Sequence, residues 1–148
     1  YFRELTVQKI LEIHRFLTKG LGIPNKIRAG RVGITGTNYK PLAKANQIQK
    51  ALQDLCDLIN SKRNVLEKAF IALLLIAYIQ PFEDGNKRTA RIICNALLLP
   101  NKYCPISFRT VEPEDYRYAT LLFYEQNSIP SFKKIFMEQL EFSTANYF

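Results

Sequence analysis

A single histidine, three cysteines and no hydrophobic run long enough to cross a bilayer set the first limits on this 148-residue chain. The cysteines (Cys56, Cys94, Cys104) lack metal-ligand spacing, and with only His14 to join them a zinc site is not expected. Buried, reduced thiols in a cytoplasmic protein are the expected reading. One histidine far from any nucleophile motif also excludes a serine or cysteine protease. His14 sits in an apolar-faced helix and reads as a packing or capping residue. The longest apolar stretch, "AFIALLLIAYI" from Ala69 to Ile79, falls short of the ~20 residues that a membrane-spanning helix needs, so no membrane role is expected. No signal-peptide pattern opens the chain. Its start at Tyr1 rather than Met points to a fragment, with elements lying upstream. Repeats, low-complexity tracts and domain boundaries are also missing, so residues 1–148 are expected to form one domain.

Apolar residues make up 47% of the chain, enough to bury a core and to exclude disorder. The net charge of +8 permits nucleic acid, a membrane surface or phosphorylated ligands. Its lysines and arginines are spread along the chain, so charge alone selects none of these.

Periodicity predicts an all-α fold. "ELTVQKILEIHRFLTKG" places Leu5, Ile10, Ile13 and Leu17 on one face, with Gly20 as a stop. "LAKANQIQKALQDLCDLIN" repeats that pattern. "VLEKAFIALLLIAYI" is apolar almost all round and reads as the central buried helix. "KRTARIICNALLL" follows it and ends at Pro100; "PEDYRYATLLFYEQN" opens on Pro113 with acids in its first turn; "PSFKKIFMEQLEF" closes the fold. The stretch "IRAGRVGITGTNYKPL" has a different texture. Val32, Ile34 and Tyr39 alternate with polar or glycine positions around "TGTN", which suggests a short β-hairpin. A hairpin on a helical body is often a flap over a site; an ordinary loop is the alternative.

The chemistry concentrates in "IQPFEDGNKRTARI", residues 79–92. Lys87, Arg88 and Arg91 crowd the first turns of a helix, the positive pole of its dipole, where cations are unfavourable. Something negative belongs there. "PFEDGN" combines a proline, an Asp-Gly turn and an Asn able to cap a helix. The N–H groups around Gly85, Asn86 and Lys87 would form an anion site, which Gly85 lets a ligand approach closely. Arg88 and Arg91 share a face that Asn95 continues. Two guanidiniums and a nest of amides suit a di- or triphosphate better than one carboxylate. Asp84 beside them fits a Mg²⁺ carried on those phosphates. The alternative is that Arg88 and Arg91 pair with Glu83, Asp84 or other surface acids.

This stretch resembles the signature of the Fic (filamentation-induced-by-cAMP) family, H-x-F-x-[DE]-G-N-[GK]-R-x-x-R, at every position but the first. Phe82, Asp84, Gly85, Asn86, Lys87, Arg88 and Arg91 match. The early helix, the "GRVGITGTNYKPL" flap and the helix after the motif are similar as well. The resemblance implies a Fic-type helical domain that transfers AMP from ATP to a Ser, Thr or Tyr hydroxyl of a target protein. Asp84 would hold Mg²⁺. The backbone at Gly85 and Lys87, with the side chain of Asn86, would form the anion hole, Arg88 and Arg91 would hold the β- and γ-phosphates, and Phe82 would anchor the loop. The flap, Ile34, Thr35, Gly36, Thr37, Asn38 and Tyr39, would align the target by strand addition.

Two departures qualify this expectation. Gln80 stands where the family has its proton-accepting histidine, so catalysis resting on position 80, Asn86 and Arg88 would be weak or silent. Lys87 is also similar to the death-on-curing branch, which transfers a phosphoryl group; Arg91, absent from that branch, favours AMP transfer. A silent nucleotide-binding regulatory module is the remaining alternative, and nucleic acid is not expected as a partner because it leaves the Asp84–Arg91 arrangement unexplained. No full inhibitory [ST]-x-x-x-E-[GN] motif is present, so an inhibitory helix or antitoxin partner would act in trans. The expected location is the bacterial cytoplasm, or a host cell into which the protein is delivered as an effector.

Overall fold

The computed structural model describes residues 4–147, and within them the helices follow the periodicity closely. They are α1 (Val7–Leu17), α2 (Ala45–Ser61), α3 (Val65–Ile79), α4 (Asn86–Leu98), α5 (Pro113–Gln126) and α6 (Pro130–Tyr147), with a single 3-10 turn (Leu99–Asn101) after α4. Local chemistry sets several of the ends. Thr6 caps α1 by accepting from the Lys9 N–H, and Asn64 caps α3 by accepting from Leu66 and Glu67. Pro113 opens α5 with Glu114 and Asp115 in the first turn. Asn127, in the left-handed conformation, ends α5.

α3 is the axis of the molecule. It packs along α4 on one side and against α2 on another, while α1 closes over α4 and α5 pairs with α6. Buried apolar side chains from all six helices form one cluster. Each fully buried Leu, Ile or Phe in it stabilises the fold by roughly 1.5–3 kcal/mol. Phe70 on α3 meets Phe132 and Phe136 on α6 at 5.8 and 5.3 Å, and Tyr78 meets Phe123 on α5 at 5.2 Å. The Asn60 side chain on α2 clamps both backbone groups of Leu5 and so ties the entry of α1 to the core. Cys56, Cys94 and Cys104 are buried and free, and burial pushes the Cys56 thiol up to about 11 and Cys94 up to about 12. Among the described residues no helix is long and apolar enough to cross a membrane.

The hairpin flap over Ile34–Tyr39 is not observed, and no strand occurs among the described residues. The alternation was a real signal, since Val32, Ile34, Thr37 and Tyr39 are half-buried while their neighbours are exposed. What is missing is a self-paired ladder, because the segment spends its polar groups on the helices instead. Arg117 on α5 donates to the Thr35 carbonyl (3.2 Å) and Thr37 donates to Glu125 (2.7 Å). The Tyr39 hydroxyl, its pKa raised by burial, donates to the Tyr78 carbonyl (2.7 Å). Gly36, at a φ of 86°, leaves room for the Arg117 guanidinium, which a β-carbon there would run into. The flap is a loop strapped to α5 and α3.

Asn64→Ala is expected to destabilise the protein by about 1 kcal/mol through loss of the α3 cap. Urea unfolding should show this as a lower midpoint with unchanged slope; an unaltered midpoint would mean that the cap contributes nothing.

Candidate functional site

The segment between α3 and α4 is short and tightly held. α3 ends at Gln80 in the left-handed conformation (φ 51°, ψ 60°), with its N–H bonded to the Ile76 carbonyl. A glutamine there needs support, and its Nε2 donates to the Ala77 carbonyl (2.6 Å). Phe82 is fully buried and stacks on His14, with ring centroids 3.6 Å apart and planes 8° from parallel. His14 Nε2 donates to the Asp84 carbonyl (2.9 Å). Its Nδ1 is buried without a partner, and burial lowers the ring's pKa, so it is held neutral. His14 is thus a packing residue, as its helix face suggested, and the residue it packs against is the motif's own phenylalanine.

The start of α4 differs in one respect from expectation. Its N-cap is Gly85, at a φ of 84°, and the helix has no side-chain cap. Asn86 is the first helical residue, and its side chain reaches backwards. Oδ1 accepts from the Phe82 N–H (2.9 Å), while Nδ2 donates to the Phe82 carbonyl (2.8 Å) and to Gln80 Oε1 (3.1 Å). Asp84 Oδ1 accepts from the Gly85 N–H (2.7 Å). Asn86 therefore caps the loop, and the leading N–H groups of α4 stay open to a ligand.

Lys87 and Arg88 are exposed and Arg91 is half-buried. The Arg91 guanidinium lies 5.2 Å from the ring centroids of both Phe108 and Tyr116, and its buried Nε has no partner. None of the three cations forms an ion pair among the described residues. Neither Arg88 nor Arg91 pairs with Glu83 or Asp84 in the structure. Asn95 does not extend the cationic stripe. It clamps the backbone of Ile106 in both directions (2.8 and 3.1 Å) and so holds the segment carrying Phe108 against Arg91.

These groups line a cleft of about 650 Å³ between the start of α4, the strapped loop and α5. Gln80, Asp84, Gly85, Asn86, Lys87, Arg88 and Arg91 all face it. From the loop, Ile34 and Thr35 line the cleft, but Gly36, Thr37, Asn38 and Tyr39 do not. The opposite wall is apolar and aromatic, with Phe108, Val111, Tyr116 and Leu121. Tyr124 adds a buried hydroxyl without a partner. Among the described residues no three His, Cys, Asp or Glu side chains could hold a metal by themselves. The exposed Asp84 carboxylate therefore fits Mg²⁺ only as a cation shared with a ligand's phosphates, which is how Mg²⁺ is commonly held. Sequence reading missed Phe108, Tyr116 and Arg117, which come from distant segments, and Arg28, whose guanidinium lies behind Gln80.

The model of the Fic/DOC family matches residues 4–98. The chain belongs to the Fic/DOC family. Among curated Fic proteins, it is 26% identical to the protein adenylyltransferase fic-1 of Caenorhabditis elegans over 97% of this chain and 29% of that protein. It is 32% identical to the protein adenylyltransferase Fic of Nematostella vectensis over 76% of this chain and 27% of that one. The chain thus spans under a third of the length of these relatives. A solved structure of C. elegans Fic-1 superimposes with a TM-score of 0.81 at 24% identity, covering 98% of this chain and 43% of that one. The effector BepC of Bartonella tribocorum, solved with AMPPNP bound, has the same fold, with a TM-score of 0.72 at 18% identity over 88% of this chain and 72% of that one.

A β-carbon at Gly85 would meet Thr18 Cγ2 at 3.2 Å and the His14 ring at 3.4 Å, in a left-handed conformation. Gly85→Ala is therefore expected to cost about 1–2 kcal/mol, whereas Gly30→Ala, in open space without positive φ, should stay within about 0.5 kcal/mol. Urea titration of both variants checks this; equal losses would contradict the close packing at Gly85.

Proposed function

We propose that this Fic domain binds ATP with Mg²⁺ and is built to transfer AMP to a hydroxyl of a target protein, with the transfer step crippled at Gln80. The observation that carries the reading is the trio Lys87, Arg88 and Arg91, left without protein counter-ions around the uncapped start of α4. Arg88 and Arg91 would hold the β- and γ-phosphates, and the open N–H groups of α4, with Lys87, would surround the phosphate nearest the helix. The Asn86 side chain is committed to Phe82 and Gln80, so its contribution is to hold the loop's shape. Asp84 would hold Mg²⁺, which when bound neutralises charge on the phosphates. The adenylyltransferase names of the curated relatives and the AMPPNP bound in BepC support the choice of ATP.

In AMP transfer the target oxygen forms a bond to the α-phosphorus, the bond to the bridging oxygen breaks, and pyrophosphate leaves. The hydroxyl proton needs an acceptor. The Gln80 amide takes no proton near neutral pH, and its Nε2 and Oε1 are engaged by Ala77 and Asn86. Losing a positioned base lowers the rate by roughly 10²–10⁴. The loop carrying Ile34 and Thr35 would bring the target to the cleft. An antitoxin-like partner in trans would act by offering Arg91 a carboxylate. The same engagement of Gln80 favours one second reading, a regulatory module that binds nucleotide without turning it over. Phosphoryl transfer, suggested by Lys87, is disfavoured by Arg91 standing in the cleft.

Incubation of the protein and its Gln80→His variant with Mg²⁺, a lysate and ATP labelled at the α- or γ-phosphate separates these readings. AMP transfer predicts strong α-label on protein bands in Gln80→His alone, raised by about 10²-fold or more. Transfer of γ-label would replace this reading with phosphoryl transfer. No transfer by Gln80→His, despite nucleotide binding, would leave the regulatory module.

A further inference from the structure

Arg28 is 1% exposed, yet pairs with no carboxylate among the described residues. Burying a cation without a counter-ion is costly unless other groups compensate. Here the compensation comes from carbonyl oxygens. Nε donates to Gln80, Nη1 to Gly30 (2.9 Å) and Nη2 to Ile79 (3.3 Å), and the Arg28 backbone N–H donates to Pro81 (3.0 Å). Ile79 and Gln80 are the end of α3, where the helix dipole is negative and the left-handed turn at Gln80 leaves carbonyls unpaired by the helix. Gly30 opens the segment whose Ile34 and Thr35 line the cleft. One guanidinium therefore joins the backbone beneath position 80 to the root of the loop that lines the cleft.

We propose that Arg28 is the positioning residue of this site, fixing the position-80 side chain and the target-docking loop in one frame. Its kinetic consequence rests on the transfer reading given above. The planar fork matters because it spreads Nε, Nη1 and Nη2 towards three separate carbonyls, a span that the compact ammonium of a lysine matches poorly. Freed from Arg28, the turn at Gln80 would relax, and with it the Gln80–Asn86 contact and the Asn86 bridge to Phe82.

Arg28→Lys tests this with two readouts. By backbone amide exchange on the otherwise unaltered protein, Gln80 and Phe82 should open about tenfold faster or more, while α2 and α6 keep their protection. Combined with Gln80→His, Arg28→Lys should lower kcat for α-label transfer about tenfold to a hundredfold while Kd for a non-hydrolysable ATP analogue stays within about threefold. Unchanged exchange at Gln80 and Phe82, or faster exchange spread equally over α2 and α6, would overturn the proposal. So would failure of both Arg28→Lys and Arg28→Gln to fold, which would make Arg28 a residue of general stability. If Gln80→His alone transfers nothing, the transfer reading falls, and the exchange result still decides the role of Arg28.

Discussion

The positive pole of α4, loaded with Lys87, Arg88 and Arg91 and left uncapped, is the constraint around which this molecule is arranged. Lys87 and Arg88, in the first turn, each cost a few tenths of a kcal/mol to about 1 kcal/mol, and no carboxylate relieves them or Arg91. A fold tolerates such a cluster when its backbone is held from elsewhere. Here Phe82 is stacked on His14 from α1, Asn86 is folded back on the loop, and Arg28 grips the end of α3. The strain is local, and the support comes from three separate parts of the chain.

The two walls of the cleft are built to different standards. The α4 wall rests on buried contacts among Phe82, His14, Gly85 and Asn86. The facing loop is anchored at its ends, by Arg28 on Gly30 and by Tyr39 on Tyr78, but its tip is held by Arg117–Thr35 and Thr37–Glu125, both exposed. Exposed contacts of this kind contribute little to stability. A rigid cradle facing a loop with fixed ends and a lightly held tip suits a small charged ligand on one side and a segment of another protein on the other.

The helices were legible in the sequence because their causes are local: apolar spacing, Pro113 at the start of α5, and acids beside it. The cationic cluster was legible for the same reason, since helix position alone fixes where Lys87, Arg88 and Arg91 stand. The failures share the opposite cause. The alternation of Val32, Ile34 and Tyr39 was read correctly as alternate burial. Its partner, however, was Arg117 on α5 rather than a second strand, and nothing in the segment announces that. Asn86 was read as a helix cap and instead braces the loop. Asn95 was read as part of the cationic stripe and instead holds Ile106. Arg28 sits in an aperiodic stretch that gives no sign of burial, and its partners at the end of α3 lie some fifty residues away.

The most direct test of the phosphate cradle is calorimetric titration of the unaltered protein with ATP and with AMP, in the presence of Mg²⁺. The adenosine and the α-phosphate are common to both, so the difference isolates the β- and γ-phosphates assigned to Arg88 and Arg91. ATP should bind tighter by about tenfold or more, since charge-assisted contacts to phosphate contribute roughly 1.5–3 kcal/mol each. Equal affinity for ATP and AMP, or no binding of either, would contradict the cradle and leave the unpaired cations at the start of α4 without a ligand.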